Sequence, residues 1–189
     1  MRGHLSPVRT LVLGGIRSGK SRWAEEAIAG SLPPGRPVRY LAPGPAGEAD
    51  AGWARRVARH RERRPAHWET VETDDITAQL RLSPEIPTLV DDLGAWLAGA
   101  LDRHDGWGDG PVPASVHRTI DDMVCAVSAF GATLVLVSPE VGLTVVPATA
   151  SGRRFADELG SLNQRVAAVC DQVVLVVAGQ PVSIKPPGR

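Results

Sequence analysis

The length, composition and charge of the chain exclude several classes of protein. It has 189 residues, 43% of them hydrophobic, which is enough for one domain with a buried core. Its 21 basic and 21 acidic residues balance, so no net field would attract nucleic acid or an anionic membrane surface. Two distant cysteines and the lack of a long apolar run predict a cytoplasmic protein without membrane insertion. We expect residues 1–8 to be a flexible terminus and residues 9–186 to form one nucleotide-binding domain.

Short, nearly continuous apolar runs predict strands that are buried on both faces. In chain order these runs are Thr10–Leu13, Val38–Leu41, Thr88–Val90, Thr133–Val137 and Val173–Val177. Apolar sequence that is unbroken rather than alternating is typical of a parallel sheet covered by helices. A further run, Val182–Lys185, closely follows a Gly-Gln-Pro turn and is expected to return as an antiparallel edge strand.

Segments with helical patterns separate these strands. They are Gly19–Ala29, Ala51–Arg64, Asp92–Leu101, Pro113–Phe130 and Arg154–Val169. The alternation of strand and helix predicts right-handed crossovers and a three-layer α/β domain, with a site at the carboxyl ends of the strands. With the motif described next, the predicted fold class is α/β, a P-loop NTPase-like domain with a mostly parallel sheet.

A glycine-rich motif follows the first predicted strand and opens the first predicted helix. It matches G-x-x-x-x-G-K-[ST] in full, and its residues are Gly14, Gly15, Ile16, Arg17, Ser18, Gly19, Lys20 and Ser21. Glycines let successive backbone N–H groups converge on phosphate oxygens, and the helix dipole favours the negative charge. We expect Lys20 to contact the outer phosphates and the Ser21 hydroxyl to bind Mg²⁺. The alternative is a glycine-rich turn that has arisen by chance, but the strand before it and the helix after it argue against that.

Two adjacent carboxylates follow the third predicted strand. A magnesium site beside a nucleotide usually needs a carboxylate at the end of a neighbouring buried strand. Asp91 directly follows the apolar run and is our candidate for that carboxylate. The alternative is that Asp91 or Asp92 caps the next helix, and for Asp92 capping is the favoured interpretation.

The predicted helix Ala51–Arg64 carries six arginines, one glutamate and a single histidine, His60. Helical spacing places His60 on one face with Trp53 and Val57, so it would lean toward packed protein. Nearby guanidinium charges disfavour the imidazolium form and would keep a nucleophilic lone pair available. From the residues alone, a solvated basic helix with an incidental histidine is the favoured interpretation.

The ordered set of segments resembles the bifunctional adenosylcobinamide kinase / adenosylcobinamide-phosphate guanylyltransferase family of cobalamin biosynthesis. The likeness spans nearly the whole chain. It favours a functional role for His60 over the interpretation that this histidine is incidental. The segments that carry it are 11–21 with the phosphate loop, 59–68 with a His-Arg-x-x-Arg-Pro-like stretch, 134–142, 146–147, 162–165 and 176–179. The sequence departs from the family pattern at 42–47, at Asp92, where the family often has Cys, and at Pro139, where it often has Asn.

The resemblance implies two reactions on one corrinoid. A nucleoside triphosphate, ATP or GTP, phosphorylates adenosylcobinamide. GTP then guanylylates a histidine that matches His60, and the GMP passes to the new phosphate. The resemblance implies that His60 and Lys20 are catalytic and that the enzyme is a homotrimer. It also implies further nucleotide contacts from Arg61, Glu62, Arg63, Arg64, Glu72 and Asp91.

Two other functions remain open at this stage. One is a small-molecule kinase that uses only the phosphate loop and performs no nucleotidyl transfer. The other is a nucleotide-gated binding protein, in which occupancy of the loop changes a contact with a partner. Neutral charge and a chain without an evident linker make the binding protein the least favoured of the three.

Overall fold

The computed structural model describes residues 7–43, 65–108 and 110–186. Its strands are β1 Arg9–Gly14, β2 Arg39–Ala42, β3 Glu69–Glu72, β4 Thr88–Asp91, β5 Leu134–Pro139, β6 Gln172–Val177 and β7 Gln180–Lys185. Its helices are α1 Lys20–Ser31, α2 Ile76–Leu82, α3 Leu93–Arg103, α4 Ala114–Ser128 and α5 Ala150–Val169.

The strands of the described residues join in one sheet with the order β3-β2-β4-β5-β1-β6-β7. Every neighbouring pair is parallel except β6 and β7, which are antiparallel. The predicted fold class is therefore confirmed, including the antiparallel C-terminal edge strand. Because the central strands are parallel, their carboxyl ends meet at one edge of the sheet, where β1 runs into the phosphate loop.

Both faces of the sheet are covered, which explains the unbroken apolar runs. Successive residues of β1 belong to different cores: Leu11 packs in the cluster formed with α2 to α5, and Val12 packs in the cluster formed with α1. Leu136 and Val135 of β5 divide in the same way. Since every side chain of such a strand is removed from water, hydrophobic burial selects apolar residues at consecutive positions.

Two described elements were not predicted, and some helix limits differ. β3 has the sequence Glu-Thr-Val-Glu and half-buried to exposed residues, since it lies at the sheet edge. α2 is short, and the Asp75 carboxylate caps it by accepting a hydrogen bond from Ala78 N at 2.9 Å. α5 begins at Ala150 rather than at Arg154, because Thr149 caps it. The predicted helix 51–64 lies outside the described residues.

None of the helices in the described part of the chain is long and apolar enough to cross a membrane.

Candidate nucleotide-binding site

The phosphate loop connects the end of β1 to the start of α1. Gly19 precedes α1 in a left-handed conformation, with φ of 94°, and makes no side-chain cap. Arg17 also has a positive φ, 58°. Ser18 N donates to Gly15 O at 3.2 Å, which closes the turn. Because glycine has no side chain, no cap bond from Gly19 occupies the first N–H groups of α1. These N–H groups and the helix dipole favour a bound anion.

Two of the loop glycines are required by close packing or backbone conformation. A Cβ on Gly14 would lie 2.8 Å from Val176 O and would also collide with the Ser18 side chain. A Cβ on Gly19 would lie 3.2 Å from the Gly179 Cα, and the φ of Gly19 is unfavourable for other residues. Gly15, in contrast, has open space around its Cβ position. The motif is therefore restricted most tightly where the loop contacts β6 and the β6–β7 turn.

The β6–β7 turn supports the loop from the other side. Ala178 and Gly179 both have positive φ, 50° and 78°, as a two-residue hairpin turn of type I′ requires. Gly179 N donates to Ser18 O at 2.7 Å. The C-terminal hairpin thus fixes the backbone of the phosphate loop, a contact that sequence reasoning missed.

Of the two candidate carboxylates, only Asp92 caps a helix. Asp92 Oδ1 accepts from Ala95 N at 2.8 Å at the start of α3, as expected for the capping interpretation. Burial raises the pKa of Asp92, and the neighbouring Asp91 charge adds to the rise; the Ala95 N–H and the Lys20 charge oppose it. Lys20 therefore lies close enough to Asp92 to act on the ionisation of that carboxyl.

Asp91 lies at the end of β4, where its Oδ2 accepts a hydrogen bond of 2.6 Å from the Tyr40 hydroxyl. In the sheet register, Asp91 pairs with Val137 of β5, and Gly14 pairs with Pro139 of the same strand. Asp91 and the phosphate loop therefore flank β5 at the same edge of the sheet. Tyr40 lies in the predicted strand Val38–Leu41 and had no assigned role, although a buried tyrosine in an apolar strand indicates that its hydroxyl has a partner.

The end of β5 is joined to both α5 and the loop. Ser138 Oγ donates to Asn163 Oδ1 at 2.6 Å, and Asn163 Nδ2 donates to Pro139 O at 3.0 Å. The next residue, Glu140, donates its N–H to Gly14 O at 3.1 Å. Its carboxylate accepts from Gly142 N at 2.6 Å. Glu140 thus lies beside the loop at the strand end, a position for which the sequence reasoning assigned no role.

The structure separates Glu72 from the phosphate loop. Glu72 ends β3 at the far edge of the sheet, and three strands lie between β3 and β1. At about 4.8 Å per strand, the separation is about 19 Å. The remaining predicted residues, His60, Arg61, Glu62, Arg63 and Arg64, lie outside the described residues.

The donor set fits a magnesium ion that arrives with a nucleotide. Among the described residues, no three His, Cys, Asp or Glu side chains are grouped to hold a metal ion. Mg²⁺ in phosphoryl-transfer sites is bound by one or two protein oxygens and by phosphate oxygens of the substrate. The Ser21 hydroxyl and the Asp91 carboxylate are hard oxygen donors of this kind, so the described residues are compatible with Mg²⁺.

A separate cleft lies on the helical face formed by α2, α3 and α4. Its volume is about 720 Å³, and its lining includes Asp75, Arg81, Trp96 and His104. The Arg81 guanidinium is already paired with Asp122 at 3.0 Å. No predicted site residue lines this cleft, which is therefore distinct from the phosphate loop.

The fold and the loop define a P-loop nucleotide-binding α/β protein. A family model described as cobinamide kinase / cobinamide phosphate guanyltransferase matches residues 10–184. The chain belongs to this family, which confirms the resemblance found in the sequence.

Three curated relatives are similar to nearly the whole chain. The bifunctional adenosylcobalamin biosynthesis protein CobP of Pseudomonas aeruginosa is 40% identical over 181 residues, which cover 94% of this chain and 98% of that protein. Proteins named CobU with the same description come from Salmonella typhimurium, 37% identical, and Escherichia coli, 35% identical. Each of these two matches covers 93% of this chain and 98% of the relative.

Proposed function

We propose that the protein phosphorylates adenosylcobinamide and then transfers GMP from GTP to the resulting phosphate. The main support is the match to the bifunctional family along residues 10–184, with an intact phosphate loop at the end of β1. The first reaction forms a bond between the substrate hydroxyl oxygen and the γ-phosphorus of ATP or GTP. The bond between that phosphorus and the nucleoside diphosphate oxygen breaks, and the hydroxyl proton leaves to solvent or a base.

The loop amides and Lys20 supply electrostatic stabilisation for this transfer. Charge accumulates on the phosphoryl oxygens and the leaving group in the transition state. The amino end of α1 and the Lys20 ammonium place positive charge where these oxygens would bind. A bound Mg²⁺ would neutralise phosphate charge, and Ser21 and Asp91 are the residues that would hold it.

The guanylyl transfer would use His60 as a covalent nucleophile. A neutral imidazole nitrogen attacks the α-phosphorus of GTP, a P–N bond forms, and pyrophosphate leaves. An oxygen of adenosylcobinamide phosphate then attacks the same phosphorus, the P–N bond breaks, and His60 is regenerated. We assign phosphate or nucleotide contacts to Arg61, Glu62, Arg63 and Arg64. Glu72, at about 19 Å from the loop by strand spacing, would contact the nucleoside end rather than the phosphates.

The assembly and location complete the proposal. The chain would act as a cytoplasmic homotrimer on its corrinoid substrate, with no nucleic acid partner. Analytical ultracentrifugation of the purified protein measures the oligomeric state, and a monomer at micromolar concentration would contradict the trimer.

Mass spectrometry after incubation with GTP and Mg²⁺ tests the covalent step. We expect one added GMP per chain, lost in His60→Ala and retained in His67→Ala. His67 is a suitable matched control because it is exposed and lies in the same part of the sequence. Absence of the adduct in the unmodified protein, or its persistence in His60→Ala, would refute the histidine step.

The kinase step is tested separately. Lys20→Ala should abolish phosphorylation of adenosylcobinamide, because it removes the charge on the outer phosphates. If His60→Ala retains this activity while no GMP adduct forms in any variant, the protein is a kinase without nucleotidyl transfer. Slow hydrolysis that the corrinoid does not stimulate would instead support the nucleotide-gated binding protein.

A further inference from the structure

Tyr40 and Asp91 form a buried contact that connects β2 to the edge of the nucleotide site. Tyr40 is 2% exposed and packs in the core on the α1 side of the sheet. Its backbone pairs with Leu89 of β4, so its side chain lies beside the strand that ends in Asp91. The hydroxyl donates to Asp91 Oδ2 at 2.6 Å, a short distance typical of a hydrogen bond to a charged acceptor.

This contact leaves the two oxygens of Asp91 in different states. Oδ2 accepts the Tyr40 hydrogen bond. Within the described residues, Oδ1 has no hydrogen-bond donor. The two oxygens lie on one planar carboxylate, so the tyrosine also restricts the rotation that would bring both toward a single ligand. Oδ1 therefore has both of its lone pairs available to a cation, whereas Oδ2 has one lone pair occupied by the buried hydrogen bond and is the weaker ligand.

The number of oxygens that a carboxylate offers bears on which cation it prefers. Mg²⁺ requires near-ideal octahedral geometry with short bonds, and retains several of its waters. Ca²⁺ accepts six to eight oxygen ligands at longer distances and binds carboxylates through one oxygen or both. A carboxylate in which one oxygen is the stronger ligand therefore suits Mg²⁺ and weakens the two-oxygen binding that is open to Ca²⁺.

We propose that Tyr40 is a positioning residue that holds Asp91 for metal binding through Oδ1 and thereby favours Mg²⁺ over Ca²⁺. This inference rests on the metal role of Asp91 in the proposed function. It assigns a specificity role to a residue that is itself too buried to contact the nucleotide directly. Tyr40 acts only through the orientation of Asp91.

Metal competition measured without turnover tests the inference. Electron paramagnetic resonance of Mn²⁺ reports free and bound metal with the protein and a non-hydrolysable GTP analogue. Mg²⁺ and Ca²⁺ are then titrated separately to displace the Mn²⁺. The quantity of interest is the ratio of the Ca²⁺ and Mg²⁺ concentrations that give half displacement. We expect Tyr40→Phe to lower this ratio several-fold, because the second oxygen of Asp91 becomes available to Ca²⁺. The full value of a hydrogen bond to a charged group, about tenfold, is the upper bound of the effect.

Thr88→Val is the matched control. Thr88 begins the same strand, is 0% exposed, and donates its hydroxyl to Ile86 O at 2.8 Å. The substitution removes a buried hydroxyl at the opposite end of β4 that also accepts from the Arg39 guanidinium at 3.3 Å, so its loss of stability should be at least that of Tyr40→Phe. We expect the Ca²⁺ to Mg²⁺ ratio to remain that of the unmodified protein. Circular dichroism confirms that both variants are folded.

Asp91→Asn separates this inference from the proposed function. If Asp91→Asn leaves Mn²⁺ binding unchanged, Asp91 is not a metal ligand, and both the metal assignment and the inference fail. If Asp91→Asn weakens Mn²⁺ binding but Tyr40→Phe leaves the ratio within about twofold, only the inference about Tyr40 fails. An equal change in Thr88→Val would also overturn it, because the effect would then reflect general loss of stability.

Discussion

Replacement of Gly14 by alanine tests whether the phosphate loop is fixed by contact with β6. The new Cβ would lie 2.8 Å from Val176 O, and the Ser18 side chain would also have to move. Val176 O belongs to a paired strand and cannot yield as a flexible side chain would. Overpacking of this kind costs about 1–3 kcal/mol. For a chain of this length each kcal/mol lowers the thermal midpoint by about 2–4 °C.

Gly15→Ala is the matched control, because no atom lies within 4 Å of its Cβ position and its φ is not positive. Its free energy of unfolding should change by less than about 0.5 kcal/mol. Chemical denaturation and thermal unfolding measure both variants, with and without a non-hydrolysable GTP analogue. Displacement of Ser18 should also reduce the stabilisation by nucleotide in Gly14→Ala. Equal stability of the two variants would refute the reasoning, since only Gly14 has backbone neighbours at the Cβ position.

Two further predictions concern titratable groups distant from the loop. Hydrogen bonds from Arg9 lower the pKa of Asp171, so the ionised form stabilises the fold. This contribution to stability is complete above about pH 5. It is lost as the pH falls through the unfolded pKa of about 3.9 toward the lower folded pKa. Asp171→Asn should therefore flatten the acid side of the stability profile measured by urea unfolding, and a profile as steep as that of the unmodified protein would contradict this. Burial raises the pKa of Cys170 to about 12, whereas Cys125 is exposed. At about pH 8 we therefore expect one thiol per native chain to react with a thiol reagent, and two thiols after unfolding. Rapid reaction of two thiols in the native protein would contradict the burial of Cys170.

The sequence predicted the features that local pattern and two-sided burial dictate. β1, β2, β4, β5 and β6 are covered on both faces, so hydrophobic burial leaves unbroken apolar runs in their sequences. The phosphate loop is equally local, since its motif lies between one strand and one helix. The capping interpretation of Asp92 is also confirmed, because its side chain bonds to Ala95 only three residues ahead.

β3 and α2 gave no such signal. β3 reads Glu-Thr-Val-Glu and pairs with the sheet through its backbone on one side only, so its residues need not be apolar. α2 follows it with seven residues, too few for a strong helical period. The Asp75 cap was not predicted either, because a capping residue without a long periodic segment after it is a weak indication of a helix.

The supports of the site could not be predicted, because each is a single contact between elements far apart in sequence. Tyr40 and Asp91 are separated by 51 positions, and Ser138 and Asn163 by 25. The hydrogen bond from Gly179 to Ser18 joins opposite ends of the chain. A polar residue inside an apolar pattern indicates that its side chain has a hydrogen-bond partner, but the identity of that partner depends on the topology of the fold.

These long-range contacts also explain why the phosphate loop does not depend on its own glycines alone. Ser18 O is held by Gly179 N at 2.7 Å, and Gly14 O is held by Glu140 N at 3.1 Å. The first bond comes from the β6–β7 turn and the second from the residue after β5, so the loop is fixed on both sides by strands that neighbour β1. A loop held in this way has its backbone N–H groups oriented before a phosphate arrives, and less entropy is lost when it binds. The charge balance of the whole chain is then immaterial, because attraction of the nucleotide depends on oriented dipoles and Lys20 at one edge of the sheet.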